Sequence, residues 1–492
     1  MKKISATLIA IFFSGFVSAQ GQLWCQKGLD IDGDSAGDKS GTTVSMPDAN
    51  TVAIGAPLNS GQGGVVGNVR IFSWSGSVWI QKGSEIEGEA VNDISGWALS
   101  MPDSNTIAIG APYNDGSGIQ IIGQVRVYTW TGIYWEQKGA DIDGEAFGDM
   151  SGWSVSMPDS NTVAIGSYEN SGNGSESGHV RIYKWNGSAW QQKGSDIDGE
   201  HGADYSGWSV SMPDSNTVAI GATKNSDSCT YAGQVRIFSW TGNAWVQKGG
   251  NIRGKHTYDG AGQSVSMPDC NTVAIGAPQI NNGGGSKGLV QIFIWNGIKW
   301  IQKGYDINGE SNYNYSGYSV SMPDSNTVAI GANWNSGSGN HAGHVRVYVW
   351  NNNGWIQSGN DIDGESSEDE SGYYVNMPNA NTVAVGAPLN DGNGIDAGHI
   401  RVYTISAMGI NNAISMRCVN IFPNPSNGIV TIEYVENGNL PFEITDVTGR
   451  IIAKGFLASS PATLDLSNET AGVYLIEIFD NGALTHLKII KE

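Results

Sequence analysis

Short hydrophobic segments with a two-residue period recur along most of the chain. In one stretch, β-branched and aromatic residues alternate with small or polar ones in GWSVSMP (152–158), TVAIGS (162–167), HVRIYKW (179–185) and AWQQKG (189–194). This alternation, interrupted by turn-forming residues, predicts four antiparallel β-strands, which we name a, b, c and d in chain order. No segment of useful length carries a helical period, so the sequence predicts an all-β protein.

The four-strand pattern repeats seven times. MPDSNTVAIG (157–166) has near-copies that begin at Met46, Met101, Met212, Met267, Met322 and Met377. Successive copies are 55 or 56 residues apart, and a fixed period of this size marks a repeat architecture. Because four-stranded units that repeat radially form propeller blades, we expect a seven-bladed β-propeller over residues 20–405.

The two ends of the repeat array predict a closed ring. LWCQKG (23–28) is a strand d with no a, b or c before it, whereas the last repeat ends with strand c, HIRVYTI (399–405). The N-terminal strand should therefore complete the last blade, which removes two exposed sheet edges.

The N-terminal residues predict export. Lys2 and Lys3 precede an apolar run, and the small residues up to Ala19 provide a cleavage site. This pattern predicts a secretory signal peptide at residues 1–19. No later stretch reaches the roughly 20 apolar residues that cross a bilayer, so we expect no transmembrane segment.

Charge narrows the choice of partners. The chain has 26 Lys and Arg against 47 Asp and Glu, a formal net charge of −21. Such a surface repels phosphate backbones and anionic lipids, so we expect no nucleic-acid partner. Cations, neutral glycans and extracellular proteins remain open as partners, and we expect a monomer.

The repeats resemble a known family. DISGWALSMPDSNTIAIGAP and DMSGWSVSMPDSNTVAIGS are similar to the FG-GAP repeats of integrin α-subunit propellers, in which Gly-Ala-Pro follows strand b. The resemblance covers about residues 20–405 and implies ligand recognition on one face of the ring. Many such blades hold calcium in an Asp-rich a–b turn. Here that turn is the short PDSN, which lacks the required carboxylates, so those calcium sites are not expected.

Acidic residues concentrate instead in the linkers between strand d and the next strand a. DIDGEAFGD (141–149) is typical. A calcium site is one interpretation of two of these linkers, with the candidate ligands Asp141, Asp143, Glu145, Asp149, Asp196, Asp198, Glu200 and Asp204. The alternative is a solvated turn whose Asp side chains cap backbone amides. Asn251, Arg253 and Lys255 replace the acids in one linker, which favours this second interpretation.

Tryptophan pairs also allow two interpretations. Six c–d hairpins carry two Trp residues five positions apart, from Trp74 and Trp79 to Trp350 and Trp355. The rings should face each other across the hairpin and pack between blades. Exposed rings would instead stack on sugars, as in a lectin.

Recognition is expected on the face that carries the d–a linkers and the b–c loops, which we call the loop face. The b–c loops vary most between repeats, and variable loops on a rigid scaffold commonly bind ligands. The seven histidines show no metalloprotease spacing. His179, His344 and His399 share one position at the start of strand c, which indicates a structural role. We expect an adhesion or ligand-recognition module and no enzyme; a lectin or a polysaccharide-active enzyme is the alternative.

The C-terminal segment breaks the period. After a polar linker at 406–418, alternating strands over 419–492 predict a small Ig-like β-sandwich. The segment resembles the type A C-terminal sorting domain of bacterial type IX secretion, through Pro423, Asn424, Pro425, Gly428, Gly449, Arg450, Gly472 and Tyr474. The resemblance implies passage through the type IX secretion machinery to the cell surface or the medium. Of four cysteines, Cys25 and Cys418 flank the repeat array and could form a disulfide.

Overall fold

The computed structural model describes residues 23–491 apart from the segments 62–63, 117–120, 280–286, 407–418, 423–425, 435–439, 459–460 and 481–482. The predicted signal peptide lies outside the described residues. Every regular element in the described part of the chain is a β-strand. Seven antiparallel sheets, numbered here by their strands a in chain order, account for the repeats.

Strands a and b form the first hairpin of each sheet. Strand a spans Thr43–Asp48, Ala98–Asp103, Ser154–Asp159, Ser206–Asp214, Ser264–Asp269, Ser319–Asp324 and Tyr374–Asn379. Strand b spans Thr51–Ala56, Thr106–Ala111, Thr162–Ser167, Thr217–Ala222, Thr272–Ala277, Thr327–Ala332 and Thr382–Ala387.

Strands c and d form the second hairpin. Strand c spans Asn68–Trp74, Gln124–Trp130, His179–Trp185, Gln234–Trp240, Leu289–Trp295, His344–Trp350 and His399–Ser406. Strand d spans Trp79–Gln81, Trp135–Gln137, Trp190–Gln192, Trp245–Gln247, Trp300–Gln302 and Trp355–Gln357. In sheet 1, Ser60–Gly61 and Gly64–Val65 add a short hairpin.

Each acidic linker adds a short strand to the outer edge of a sheet. Two linker residues form a short strand, named e here, that pairs with the start of strand c; in sheet 2, Ile142 lies opposite Val125. Strand e spans Ile31–Asp32, Ile86–Glu87, Ile142–Asp143, Ile197–Asp198, Ile252–Arg253, Ile307–Asn308 and Ile362–Asp363. The linkers are thus partly sheet, because their buried isoleucine anchors them to the edge of strand c.

Neighbouring sheets pack face to face. Strand b of sheet 3, Thr162–Ser167, is buried at every residue. Because side chains alternate between the two faces of a strand, full burial requires cover on both faces. Val127 of sheet 2 and Val163 of sheet 3 accordingly belong to one hydrophobic core. Seven four-stranded sheets packed in this way make a β-propeller.

A side-chain hydrogen bond links the strands a of consecutive sheets. Pro158 has no N–H, and the register of strand a shifts between Ser156 and Asp159. The Met157 amide instead donates to Ser100 Oγ of the preceding sheet at 2.9 Å. Equivalent bonds join Met101 to Ser45, Met212 to Ser156, Met267 to Ser211, Met322 to Ser266 and Met377 to Ser321.

The N-terminal strand occupies the strand d position of sheet 7. Leu23–Gln26 pairs antiparallel with strand c, His399–Ser406. Trp24 is buried and its Nε1 donates to the Ser358 carbonyl at 2.9 Å. Trp79 makes the corresponding bond to the Lys27 carbonyl at 2.8 Å, so the N-terminal strand repeats the contacts of an ordinary strand d.

The C-terminal domain consists of two sheets around one core. One sheet contains Val419–Phe422, Ile429–Tyr434 and Ala462–Asp465, and the other contains Ile451–Leu457, Leu440–Asp446, Gly472–Asp480 and Ala483–Lys491 in spatial order. Val430 and Ile432 of the first sheet share a core with Ile444 and Ile476 of the second, which makes the domain a β-sandwich.

Two further observations concern the membrane and the cysteines. The described part of the chain contains no helix able to cross a membrane. Cys25 is disulfide-bonded, whereas Cys229 and Cys270 are free. Cys418 lies outside the described residues.

Candidate functional site

A cavity of about 180 Å³ is lined by the first residues of strand a from all seven sheets. In each repeat, the residue that follows the glycine before strand a contributes most to the chemical character of the cavity lining. These residues are Thr42, Trp97, Trp153, Trp208, Gln263, Tyr318 and Tyr373. Five of the seven positions are therefore aromatic.

The cavity lies at the loop face. Strand a begins directly after the d–a linker, and the linker ends beside the b–c loop of the preceding sheet. Gly123 and Ser151 form a β-bridge there, as do Gly178 and Ser206. The expected grouping of linkers and b–c loops on one face is thus found around the cavity.

The aromatic side chains form two arcs. Trp153 lies at the centre of the first arc, with ring centroids 4.6 Å from Trp97 and 5.1 Å from Trp208. Tyr318 and Tyr373 form the second arc, 5.0 Å apart. The polar residues Thr42 and Gln263 separate the arcs, so the lining offers ring faces and polar groups in alternation.

Sheets 3 and 4 extend the first arc outward. The Tyr168 ring lies 4.5 Å from Trp153 and 5.0 Å from Trp208. Lys224 Nζ lies 3.8 Å from the centroid of Tyr205, which in turn contacts Tyr168. This part of the loop face is the richest in contacts between aromatic rings around the cavity.

Glycine places these aromatic rings. Gly152 has φ +89°, and a Cβ there would lie 2.5 Å from the Gln124 carbonyl oxygen. Only glycine adopts this conformation readily in so close a contact. The backbone then enters strand a with Trp153 directed to the cavity. The Gly-aromatic pair was visible in the sequence, but nothing there indicated that five such pairs converge.

The cavity lining is electrically neutral. Burial raises the pKa of the Tyr318 phenol well above its ordinary value, and burial also raises the pKa of Tyr373. Among the described residues that line the cavity there is no carboxylate, imidazole, thiol or amine. The lining therefore offers stacking and neutral hydrogen bonds.

The acidic linker residues have separate partners. Asp149 Oδ2 accepts hydrogen bonds from the Glu145 and Ala146 amides at 2.9 Å, and Asp204 makes the same bonds in the next linker. Asn170 Nδ2 donates to Asp149 Oδ1 at 3.1 Å. These aspartates act as caps of their own turns.

The other candidate calcium ligands point to different neighbours. Asp141 accepts from Gln137 Nε2 at 2.7 Å, while Glu145 pairs with Arg181 of the next sheet at 3.3 Å. Arg181 also donates to the Asp143 carbonyl at 2.6 Å. Burial raises the pKa of the Asp143 carboxyl. The four acids of this linker do not converge on one point.

The next linker behaves in the same way. Glu200 accepts from Gln234 Nε2 at 2.7 Å, and burial raises the pKa of both Asp198 and Asp204. Asp196 instead lies beside His179 and Glu145, so the structure joins acids from two linkers around one imidazole. Burial lowers the pKa of His179 to about 4, which keeps this imidazole neutral. Calcium binding by these residues stays a prediction.

The linker without consensus acids has its own ion pair. Lys255 stands where the other linkers have glutamate or, at Asp34, aspartate, and Gln291 stands where strand c elsewhere has arginine. Lys255 Nζ lies 2.9 Å from Asp306 Oδ1. Burial raises the pKa of Asp306, but hydrogen bonds from Gln291, Lys255 and Gln302 outweigh it and lower the pKa overall.

The tryptophan pairs pack between sheets. Trp74 and Trp79 lie opposite each other, with ring centroids 5.2 Å apart. Lys27 of the adjacent outer strand lies 5.1 Å and 5.3 Å from the two rings. The pattern repeats in all six hairpins, and it favours the packing interpretation over exposed platforms for sugar.

Motif residues of the C-terminal domain support its turns. Asp446 Oδ1 accepts from the Arg450 amide at 3.1 Å, and Arg450 Nε donates to Asp446 Oδ2 at 2.9 Å across the turn at Gly449. Tyr474 Oη donates to the Thr470 carbonyl at 2.6 Å. Gly472, two residues after Thr470, begins a strand.

Gly428 has φ +113°, and a Cβ there would lie 2.7 Å from Ser467 Cα. The close packing at this turn therefore requires glycine. Pro423, Asn424 and Pro425 lie outside the described residues.

Comparison with known proteins identifies the C-terminal domain. Residues 420–492 match the family model of the secretion system C-terminal sorting domain. The match confirms the predicted type IX sorting domain and implies interaction with the type IX secretion machinery. The protein is therefore secreted, either extracellular or attached to the outer-membrane surface.

No curated protein matches the chain at a significant level. Among solved structures, the chain is similar to hydrazine synthase from Kuenenia stuttgartiensis (11% identity, TM-score 0.49, 77% of this chain and 98% of that chain). It is also similar to a putative 6-phosphogluconolactonase from Bacteroides uniformis (11% identity, TM-score 0.48, 73% of this chain and 92% of that chain). A third similar structure is the β-propeller domain of the Trilobed protease from Pyrococcus furiosus (10% identity, TM-score 0.41, 75% of this chain and 90% of that chain). At these values the similarity says nothing about ligand or activity.

Proposed function

We propose that the protein is an extracellular recognition module that binds its ligand at the loop face, with the aromatic cavity as the centre of the site. The observation that carries this proposal is the convergence of five aromatic side chains on one neutral cavity. Aromatic faces with a few polar groups between them are typical of small-molecule sites. The sorting domain delivers this surface to the outside of the cell.

The proposal includes a closed seven-bladed ring. The pairing of Leu23–Gln26 with His399–Ser406 supports closure, because it joins the first strand of the array to the last. The hydrogen bond from Met46 to Asn376 supports it at the inner strands. A rigid ring would hold the two aromatic arcs at a fixed separation, so the site would be formed before the ligand arrives.

A neutral carbohydrate is the ligand class that best suits the cavity. Sugar rings present apolar C–H faces to aromatic side chains and hydroxyl groups at their edges. Trp153 and Tyr373 provide ring faces, while Gln263 and Thr42 provide an amide and a hydroxyl. An anionic ligand would meet a protein with a net charge of −21.

Protein adhesion is the second candidate, and it rests on a different feature. The resemblance of the repeats to FG-GAP propellers implies a protein ligand on the same face. Exposed aromatic side chains in this region, such as Phe147 and Tyr313, offer anchors for a protein surface. An adhesion module would use these loops and leave the cavity lining unaffected.

The experiment is a binding screen of the full exported chain against neutral glycans and extracellular matrix proteins. Tryptophan fluorescence reports the cavity, because Trp97, Trp153 and Trp208 line it. Saturable quenching by a glycan supports the proposal. Binding of a protein without any change in fluorescence supports adhesion through the loops, and product release from a glycan would contradict a pure binding role.

A further inference from the structure

Three equivalent clusters of one imidazole and two carboxylates lie between neighbouring sheets. Each combines the histidine that opens strand c, the first acid of the linker of that sheet and the glutamate of the linker before it. The clusters are Glu145, His179 and Asp196; Glu310, His344 and Asp361; and Glu365, His399 and Asp30. The candidate ligand atoms of each cluster lie within 4.8 Å of one another.

The imidazole of His399 is buried and has no hydrogen-bond partner. Its side chain is 1% exposed, and neither ring nitrogen makes a hydrogen bond. Nδ1 lies 3.8 Å from Asp30 Oδ2 and 4.0 Å from Glu365 Oε2. These separations exceed hydrogen-bond length, and leaving a buried nitrogen unpaired costs free energy. Asp32 Oδ1 also lies 4.0 Å from Nδ1, so the ring faces three carboxylates across an unbridged gap.

The gap has the size of a metal ion. Zn²⁺ binds histidine nitrogen and carboxylate oxygen at about 2.0–2.2 Å, which places neighbouring ligands of a tetrahedral site about 3.4 Å apart. His344 Nδ1 lies 3.5 Å from Asp361 Oδ2 and 4.0 Å from Glu310 Oε2. The carboxylates are partly exposed, so a small side-chain rotation brings them to bonding distance and an ion reaches them from solvent.

A second layer of contacts orients the glutamates. Glu365 uses Oε1 to pair with Arg401 at 3.4 Å and directs Oε2 to His399. Glu310 divides its oxygens in the same way between Arg346 at 3.6 Å and His344. Outer partners that fix ligand orientation are characteristic of metal sites in proteins.

Three of the other four sheets bridge the same position without an imidazole. Where histidine is absent, Asn68, Gln124 and Gln234 donate side-chain N–H bonds to linker glutamates at 2.6, 2.9 and 2.7 Å. In these sheets a neutral amide thus donates a hydrogen bond directly to a linker acid. In the histidine sheets Nδ1 lies 3.5 to 4.0 Å from the carboxylate oxygens, farther than these amide bonds, so the histidine sheets are the ones that leave room for a cation.

Sheet 5 lacks two of the three cluster residues. Leu289 replaces the histidine, Lys255 replaces the glutamate, and the remaining acid, Asp306, pairs with Lys255. In sheet 5 the histidine and one of the two acids are therefore both absent, and the remaining acid already has a cationic partner.

We propose that each of the three clusters binds one divalent transition-metal ion, for which Zn²⁺ is the model ion. One imidazole and two carboxylates form a ligand set that suits zinc and related ions, whereas calcium takes oxygen ligands alone. The three protein ligands leave a fourth position for water. The inference does not depend on which ligand binds the aromatic cavity.

The cluster of His399 has a particular consequence for the fold. Asp30 follows the N-terminal strand, and His399 opens the strand with which it pairs. An ion between them fastens the first strand of the chain to sheet 7. Metal binding to the native state alone stabilises it by mass action, so loading this site raises the unfolding midpoint.

The test is metal stoichiometry of the full chain, stripped with a chelator and dialysed against micromolar Zn²⁺. We expect three zinc ions per chain. The variant His179→Gln/His344→Gln/His399→Gln should bind none; it should fold, because glutamine is native at two equivalent positions. His201→Gln is the matched control with an exposed histidine and should still bind three.

A gain-of-site variant makes the test stringent. Sheet 2 has both acids in place, Glu89 and Asp141, with Gln124 in the histidine position. Gln124→His should therefore raise the stoichiometry to four. No bound zinc in the folded wild type, an unchanged stoichiometry in the triple variant, or displacement of zinc by equimolar calcium would each overturn the proposal.

Discussion

The Met46 amide donates a hydrogen bond of 2.9 Å to Asn376 Oδ1, although 330 residues separate the two. In the other six pairs of consecutive sheets a serine hydroxyl accepts the equivalent bond, as Ser45 Oγ does from Met101 at 2.9 Å. The longer asparagine side chain thus stands where sheet 7 meets sheet 1. This junction is the one that the proposed closure of the ring requires.

Removing the acceptor at this junction should destabilise the propeller. Asn376→Ala leaves the Met46 amide without its partner, and we expect a loss of about 1 kcal/mol in the free energy of unfolding. Asn376→Ser is the matched control, because serine accepts this bond in the other sheets, and it should cost less. Chemical denaturation measures both; equal losses would show that the bond is unimportant.

The N-terminal strand should contribute strongly to stability. Trp24 is buried and donates to the Ser358 carbonyl. Trp24→Ala leaves a cavity and should cost about 3–5 kcal/mol in unfolding free energy. Leu29→Ala, at an exposed position just after the same strand, should change stability little. A tryptophan variant as stable as the wild type would contradict closure by this strand.

Two glycines of one linker should respond differently to alanine. At Gly152 a Cβ would meet the Gln124 carbonyl oxygen, so Gly152→Ala combines positive φ with a clash and should cost more than about 2 kcal/mol. Gly148 also has positive φ but open space around it, and Ala203 occupies the equivalent position with φ 62°. Gly148→Ala should cost about 1–2 kcal/mol. Thermal unfolding distinguishes the two.

The residue at position 255 of the linker without consensus acids should be energetically coupled to residue 291 of strand c. Lys255→Glu places a negative charge beside Asp306 and should destabilise sheet 5 by roughly 1 kcal/mol or less, since both groups are partly exposed. Adding Gln291→Arg recreates the pair seen between Glu145 and Arg181 and should recover the loss. A double-mutant cycle measures this coupling; additive effects would refute it.

The sequence predicted the repeats, their strands and the role of the N-terminal strand, because each depends on local alternation and a fixed period. The bounds agree closely: strand b of sheet 3 is Thr162–Ser167 in both. Strand e was not predicted, since two residues such as Ile142–Asp143 are too short for a periodic signal.

The candidate site was harder to predict. The Gly-Trp pairs are visible in the repeats, but their convergence depends on contacts among residues 97, 153, 208, 318 and 373, which no local pattern encodes. The linker acids were grouped by their spacing within one linker. In the structure Glu145 instead meets Asp196 of the following linker, with His179 between them, because the sheets stack side by side.

The most direct test of the proposed function is a tryptophan-fluorescence titration with the best glycan from the screen, comparing the wild type with Trp153→Ala. Trp153 contacts Trp97, Trp208 and Tyr168 and lies at the centre of the first arc. Stacking of a nucleobase on one aromatic ring is worth about 1–3 kcal/mol, and with a sugar contact of the same size the variant should bind roughly 5- to 150-fold more weakly. Trp79→Phe, in the packing pair away from the cavity, should bind normally. Equal affinity of the wild type and Trp153→Ala would contradict recognition at the cavity.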